Sequence, residues 1–107
     1  MRKNDFILLY ITNPSNAEAR RIAKHILKKR LAACTNILPP TESLYRWKGK
    51  LADEKEWILL LKTTKKNAMK AEREIEKIHS YSIPCIIQIP ISSNKKYFEW
   101  LAGEVVQ

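Results

Sequence analysis

The groups in this chain best suited to chemistry lie in seven residues, HSYSIPC, from His79 to Cys85. Imidazole and thiolate are good donors to soft and borderline transition metals, so His79 and Cys85 read as candidate metal ligands. Two donors do not complete a site. A structural reading of the same stretch stands beside that one. His79 closes a helical pattern, where a cationic imidazole meets the negative end of the helix dipole, and Pro84 opens the strand that follows. Elsewhere the chain has no HExxH, no Ser-His-Asp order and no closely spaced carboxylate pair in an apolar setting. Glu54 and Glu56 are expected on an exposed turn, and no enzymatic activity is expected.

The elements that must hold this corner can be read from hydrophobic periodicity. DFILLYI, residues 5–11, is an apolar run of strand length closed by Thr12, Asn13 and Pro14. Ser15 and Glu18 form a capping-box pattern for a helix whose buried stripe is Ala19, Ile22, Ala23, Ile26 and Leu27. LAACTNI, residues 31–37, returns to strand composition, and Pro39 and Pro40 interrupt it. A long hairpin follows, with Tyr45 and Trp47 alternating with Arg46 and Lys48, then Gly49, a polar turn near Ala52 and Asp53, and a return strand from Glu56 to Thr63. Residues 65–79 are helical, with Ala68, Ala71, Ile75 and Ile78 on one face. CIIQIPI forms the last strand, and YFEWLAG a short helix with Gly103 as its C-cap.

This order predicts one α+β domain over residues 1–107. It is a ferredoxin-like βαββαβ antiparallel sheet with two helices on one face, a long hairpin between the second and third strands of that plan and a short C-terminal helix. Helices on one face should leave the other face polar at alternate positions. Here Phe6, Leu8 and Tyr10 oppose Ile7, Leu9 and Ile11, Ile58 and Leu60 oppose Trp57, Leu59 and Leu61, and Ile87 and Ile89 oppose Ile86. Both faces are therefore apolar. An exposed area of that kind usually marks an interface, so a homo-oligomer is expected, with the C-terminal helix covering only part of the second face.

Formal charge is +9 over 107 residues, carried mostly on helix exteriors: residues 20–30 and 65–77. Such faces attract polyanions at long range, but a solvated helix face explains them equally. No RRM-type aromatic motif is present, so specific nucleic-acid binding is not expected. The opening MRKNDF is followed by an apolar run too short for a membrane span or signal segment, which predicts a cytoplasmic protein without a membrane anchor. Cys34 and Cys85 then read as free, buried thiols.

The blocks KRLAAC with Asn36 and Ile37, SLYRWKGKL, LLLKTT, then His79, Tyr81 and Pro84, and finally Tyr97 and Trp100, resemble the CutA family of divalent-cation tolerance proteins over nearly the whole chain. The resemblance implies a non-enzymatic cytoplasmic homotrimer built through edge strands and long hairpins, implicated in tolerance or binding of copper or another divalent cation, with no cofactor required. It also implies that groups from a neighbouring subunit complete any coordination, and that Lys62, Tyr81 and Trp47 line an intersubunit cleft. Two family positions differ: Ser80 replaces a Pro and Cys85 a Glu, and that thiolate would favour copper(I) or zinc. A second reading is a ligand-sensing trimer resembling the nitrogen-regulatory signal proteins. Against it stand the absence of a Gly-rich phosphate loop and a total of two glycines.

Overall fold

In the computed structural model, which describes residues 5–107, the elements are β1 (Asp5–Asn13), α1 (Asn16–Lys28), β2 (Cys34–Ile37), β3 (Thr41–Trp47), β4 (Lys50–Thr63), α2 (Lys65–Ile78), β5 (Ile86–Ser92) and α3 (Lys95–Glu104). The MRKN of the opening segment lies outside the described residues. β2, β4, β1 and β5 lie side by side in that order, each neighbouring pair antiparallel, and β3 pairs with the outer half of β4. This is the expected α+β ferredoxin-like arrangement.

Strand alternation sorts the side chains into two layers. Ile37, Leu59, Ile11 and Ile86 stand abreast on one face, with Leu61 and Leu9 in the next row. They join Ala19, Ile22 and Ile26 of α1 and Ala68, Ala71 and Ile75 of α2 in one buried core. Leu27, expected in that stripe, sits at its rim at 36 % exposure.

Local chemistry explains where elements begin and end. Ser15 Oγ accepts the Glu18 N–H at 3.1 Å and caps α1. The Glu18 carboxylate turns away from the reciprocal capping contact and accepts from the Ser80 N–H and hydroxyl. Thr63 Oγ1 donates to the Leu31 carbonyl at 2.6 Å, tying β4 to the segment before β2.

Two expected boundaries are displaced. The hairpin turns at Lys48 and Gly49, with φ of 50° and 77°, rather than near Ala52 and Asp53, which lie within β4 opposite Tyr45 and Leu44. A two-residue turn with positive φ at both centres matches the twist of the flanking strands, and Gly49 takes that conformation without a side-chain penalty. At the other end Gly103 lies inside α3 and Val105 is the cap, in extended backbone. No left-handed glycine is needed there, because the Arg30 guanidinium donates to the Gly103 and Glu104 carbonyls and the Val106 N–H donates to the Arg30 carbonyl.

The second sheet face is only partly covered. Phe6 is buried against Tyr97 and Phe98 of α3, with ring centroids 6.3 and 6.2 Å apart. Beyond α3 the row Leu60, Tyr10 and Ile87 and the pair Leu8 and Ile89 continue the face, with Ile87 47 % and Ile89 38 % exposed.

An ion cluster joins the two main helices. Glu74 accepts from Lys29 at 2.6 Å and from His25 at 2.9 Å, and these two hydrogen bonds hold its carboxyl at about 2. A carboxylate depressed in the folded state adds stability above its unfolded pKa and loses it as pH falls through the folded one. Wild-type stability is therefore expected to fall more steeply than that of Glu74→Gln between about pH 4.5 and 2. Denaturation midpoints across that window check it, and parallel curves would refute the assignment.

Candidate functional site at the base of the hairpin

Where β3 and β4 leave the body of the sheet, their side chains face the segment joining α2 to β5 across a cleft of about 840 Å³. Trp47, Tyr45, Leu44 and Glu42 come from β3, Glu54 and Glu56 from β4, Thr12 from β1, and Tyr81, Ile83 and Cys85 from the joining segment. Among the described residues the lining includes three carboxylates and a thiol but no Lys or Arg.

Glu56 is the buried carboxylate, 5 % exposed, and the Tyr81 hydroxyl donates to its Oε2 at 2.8 Å. Burial and that bond to an anion both keep the phenol protonated, raising Tyr81 well above its usual range. At Tyr45, burial followed by a hydrogen bond to Glu54 has the same direction. Glu42 is raised by its hydrogen bond with Asp53. For Cys85, burial pushes the thiol up, a hydrogen bond with Thr12 opposes this, and the Glu56 charge pushes it up further. A metal ion taking Cys85 as a ligand must therefore displace a proton.

His79 stands behind this wall. Its side chain is fully buried, Nε2 donates to the Thr12 carbonyl at 2.9 Å, and the Tyr81 N–H donates to Nδ1 at 3.0 Å. An amide donor at Nδ1 requires a lone pair there, so Nε2 carries the proton and both ring nitrogens are used within the chain. The ring also packs against Tyr81, with centroids 4.8 Å apart. His79 thereby ties the end of α2 to the end of β1 and sets the position of Tyr81.

Of the residues singled out in the sequence, Trp47, Tyr81 and Cys85 line one cleft and His79 supports it from behind. Lys62 lies elsewhere within the chain, with Nζ 4.0 Å from Cys34 Sγ and 5.6 Å from the Tyr97 ring centroid. Among the described residues no three His, Cys, Asp or Glu side chains converge as a metal-binding group. Glu56, expected on an exposed turn, is instead buried in β4. Its signal was Gly49: a turn at Lys48 and Gly49 places Glu54 and Glu56 at alternate positions of the strand that continues to Ile58.

A ferredoxin-like sheet extended by a long hairpin is an architecture shared with solved divalent-cation tolerance proteins. The chain superposes with a TM-score of 0.92 on a point-substituted CutA1 from Pyrococcus horikoshii, at 33 % identity and covering 95 % of this chain and 100 % of that one. It superposes with a TM-score of 0.89 on the Thermus thermophilus divalent cation tolerance protein, at 38 % identity, with 95 % and 99 % covered. Residues 7–104 match the family described as CutA1 divalent ion tolerance protein, and the chain belongs to that family. The divalent-cation tolerance proteins CutA of Thermus thermophilus and Archaeoglobus fulgidus are 41 % and 42 % identical to it; the alignments cover 88 % and 87 % of this chain and 92 % and 91 % of theirs. These names describe ion tolerance rather than a reaction.

Proposed function

We propose that the chain acts without catalysis of its own, as a homotrimer that takes part in divalent-cation tolerance by binding copper or another divalent ion at the hairpin cleft. The observation that carries this reading is the cleft's composition in a strongly basic chain: among the described residues three carboxylates and a thiol line it and no Lys or Arg does, Lys55 of the ribbon standing opposite Glu42. Such a wall lowers the energy of a cation locally even where net charge is +9. Cys85 and Glu56 are the donors this chain offers. A thiol beside carboxylates suits copper(I) or zinc better than a hard ion. Among the described residues no group of three such donors converges, so this reading requires further ligands, which a neighbouring copy of the proposed trimer would supply. His79, held at both nitrogens, would have to release one bond to ligate, so it serves this reading by positioning Tyr81 and the segment leading to Cys85. The ion is cargo rather than a resident cofactor. Both thiols are free, which suits a reducing compartment such as the cytoplasm.

Isothermal titration of the reduced protein with zinc, and competition with a copper(I) chelator, tests the proposal. Saturable uptake that weakens at least tenfold in Cys85→Ser, and that weakens as pH falls, is the expected result. Absence of heat above the buffer blank for zinc together with no copper(I) taken from the chelator would remove the metal claim.

A further inference from the structure

The helix layer, on the opposite side of the sheet from the uncovered face, holds most of the molecule's charge. Residues 16–30 and 65–78 contain eleven Lys and Arg against four Glu, which is seven of the chain's nine net positive charges. Three of the four carboxylates are engaged by other residues: Glu74 by Lys29 and His25, Glu18 by Ser80, and Glu72 by Gln88. Several cations are engaged as well, Arg21 to the Ile78 carbonyl and Arg30 to the end of α3. Arg20, Lys24 and Lys28 on α1 and Lys66, Lys70 and Arg73 on α2 are exposed or lie at the surface, and none has an ion pair or hydrogen-bond partner among the described residues.

Their spacing is regular. Positions 20, 24 and 28, and likewise 66, 70 and 73, share one face of their helix, about 6 Å apart along the axis at four residues per step, with about 4.5 Å for the three-residue step from 70 to 73. The two helices lie side by side, bridged by His25 and Glu74, so the rows run along one surface. Like charges at this spacing destabilise an isolated helix, so helix stability does not explain the rows. A polyanion with charges along a line does match them, since roughly 6 Å corresponds to nearly two nucleotides of rise along one strand.

We propose that the helix layer binds the sugar–phosphate backbone of nucleic acid without choosing sequence. A lipid surface fits less well, because cations alone hold there by charge and lasting binding adds apolar or aromatic side chains among them. The layer's large exposed apolar residues are Leu27 and Met69, while the exposed Trp47 and Trp100 lie on the hairpin and on α3. The proposal does not depend on the metal reading, since none of these six cations lines the cleft.

Fluorescence anisotropy with labelled short DNA duplexes of two unrelated sequences tests it on the full-length protein. Six phosphate contacts per chain give a slope of log affinity against log salt of about −5, a loss of roughly a thousandfold between about 50 and 200 mM salt, the same for both sequences. The triple variant Arg20→Ala, Lys24→Ala, Lys28→Ala is expected to flatten that slope by about 3, while Lys48→Ala, Lys50→Ala, Lys55→Ala, which removes equal charge from the hairpin, leaves it unchanged. All six positions are exposed, and circular dichroism melts confirm that both variants fold. The proposal is overturned by no binding at the lower salt, by equal losses in the two triple variants, or by vesicles containing phosphatidylserine that displace the duplex at matched phosphate concentration.

Discussion

His79→Ala is expected to destabilise the folded protein by about 3 kcal/mol, combining the cavity left by a buried ring with two main-chain groups deprived of partners. The side chain is fully buried, and the Thr12 carbonyl and Tyr81 amide would lose their bonds together. Tyr81 would also lose the ring against which it packs, which loosens its hydroxyl on Glu56. His79→Gln, which keeps a donor within reach of Thr12, should recover part of the loss. Chemical denaturation at a fixed protomer concentration, with and without zinc, separates a positioning role from direct ligation. Positioning predicts that the metal-free protein loses stability in the alanine variant. Metal-free denaturation midpoints that coincide, combined with abolished zinc binding, would make His79 a ligand and rule out the positioning role.

The contrast between His79 and the strands shows what a sequence can carry. β1 was legible because Ile7, Leu9 and Ile11 alternate with Phe6, Leu8 and Tyr10, and period-2 patterning is written in consecutive residues. The partners of His79 are not local: Thr12 is sixty-seven positions away, and no spacing rule connects them. The hairpin failed for a different reason. In its outer half β4 pairs only with β3, and the polar KLADEKE run reads as a loop because a two-stranded ribbon exposed to water has no core face to enforce apolar alternation. The lysine–glycine pair was the better signal: once the turn is placed there Glu54 and Glu56 fall within β4 on one face, and Tyr81, from a distant segment, covers Glu56 while Glu54 stays exposed. Lys62 illustrates a third case. Its position beside Cys34 and Tyr97 is fixed by the approach of α3, whose place over the sheet no periodicity specifies.

Ile87→Glu combined with Ile89→Glu is expected to convert the proposed trimer into single chains. Both residues lie on β5 opposite Tyr10 and Leu8, on the face that α3 leaves open, and both are more than a third exposed in the isolated chain. Each isoleucine that an assembly fully buries contributes roughly 1.5 to 3 kcal/mol. A carboxylate in its place must be desolvated without a partner, which costs several kcal/mol more. The helix-side core, Leu9, Ile11, Leu59 and Leu61, is untouched, so the variant should keep its secondary structure while sedimenting as one chain. Leu44 and Leu51, 71 % and 81 % exposed on the hairpin, provide an independent second site: replacing both with Lys should weaken assembly without reaching the sheet face. Sedimentation velocity at micromolar protomer concentration reads both outcomes. A wild-type chain already sedimenting alone and folded would end the trimer proposal, and with it the idea that a neighbour completes the ligand set around Cys85.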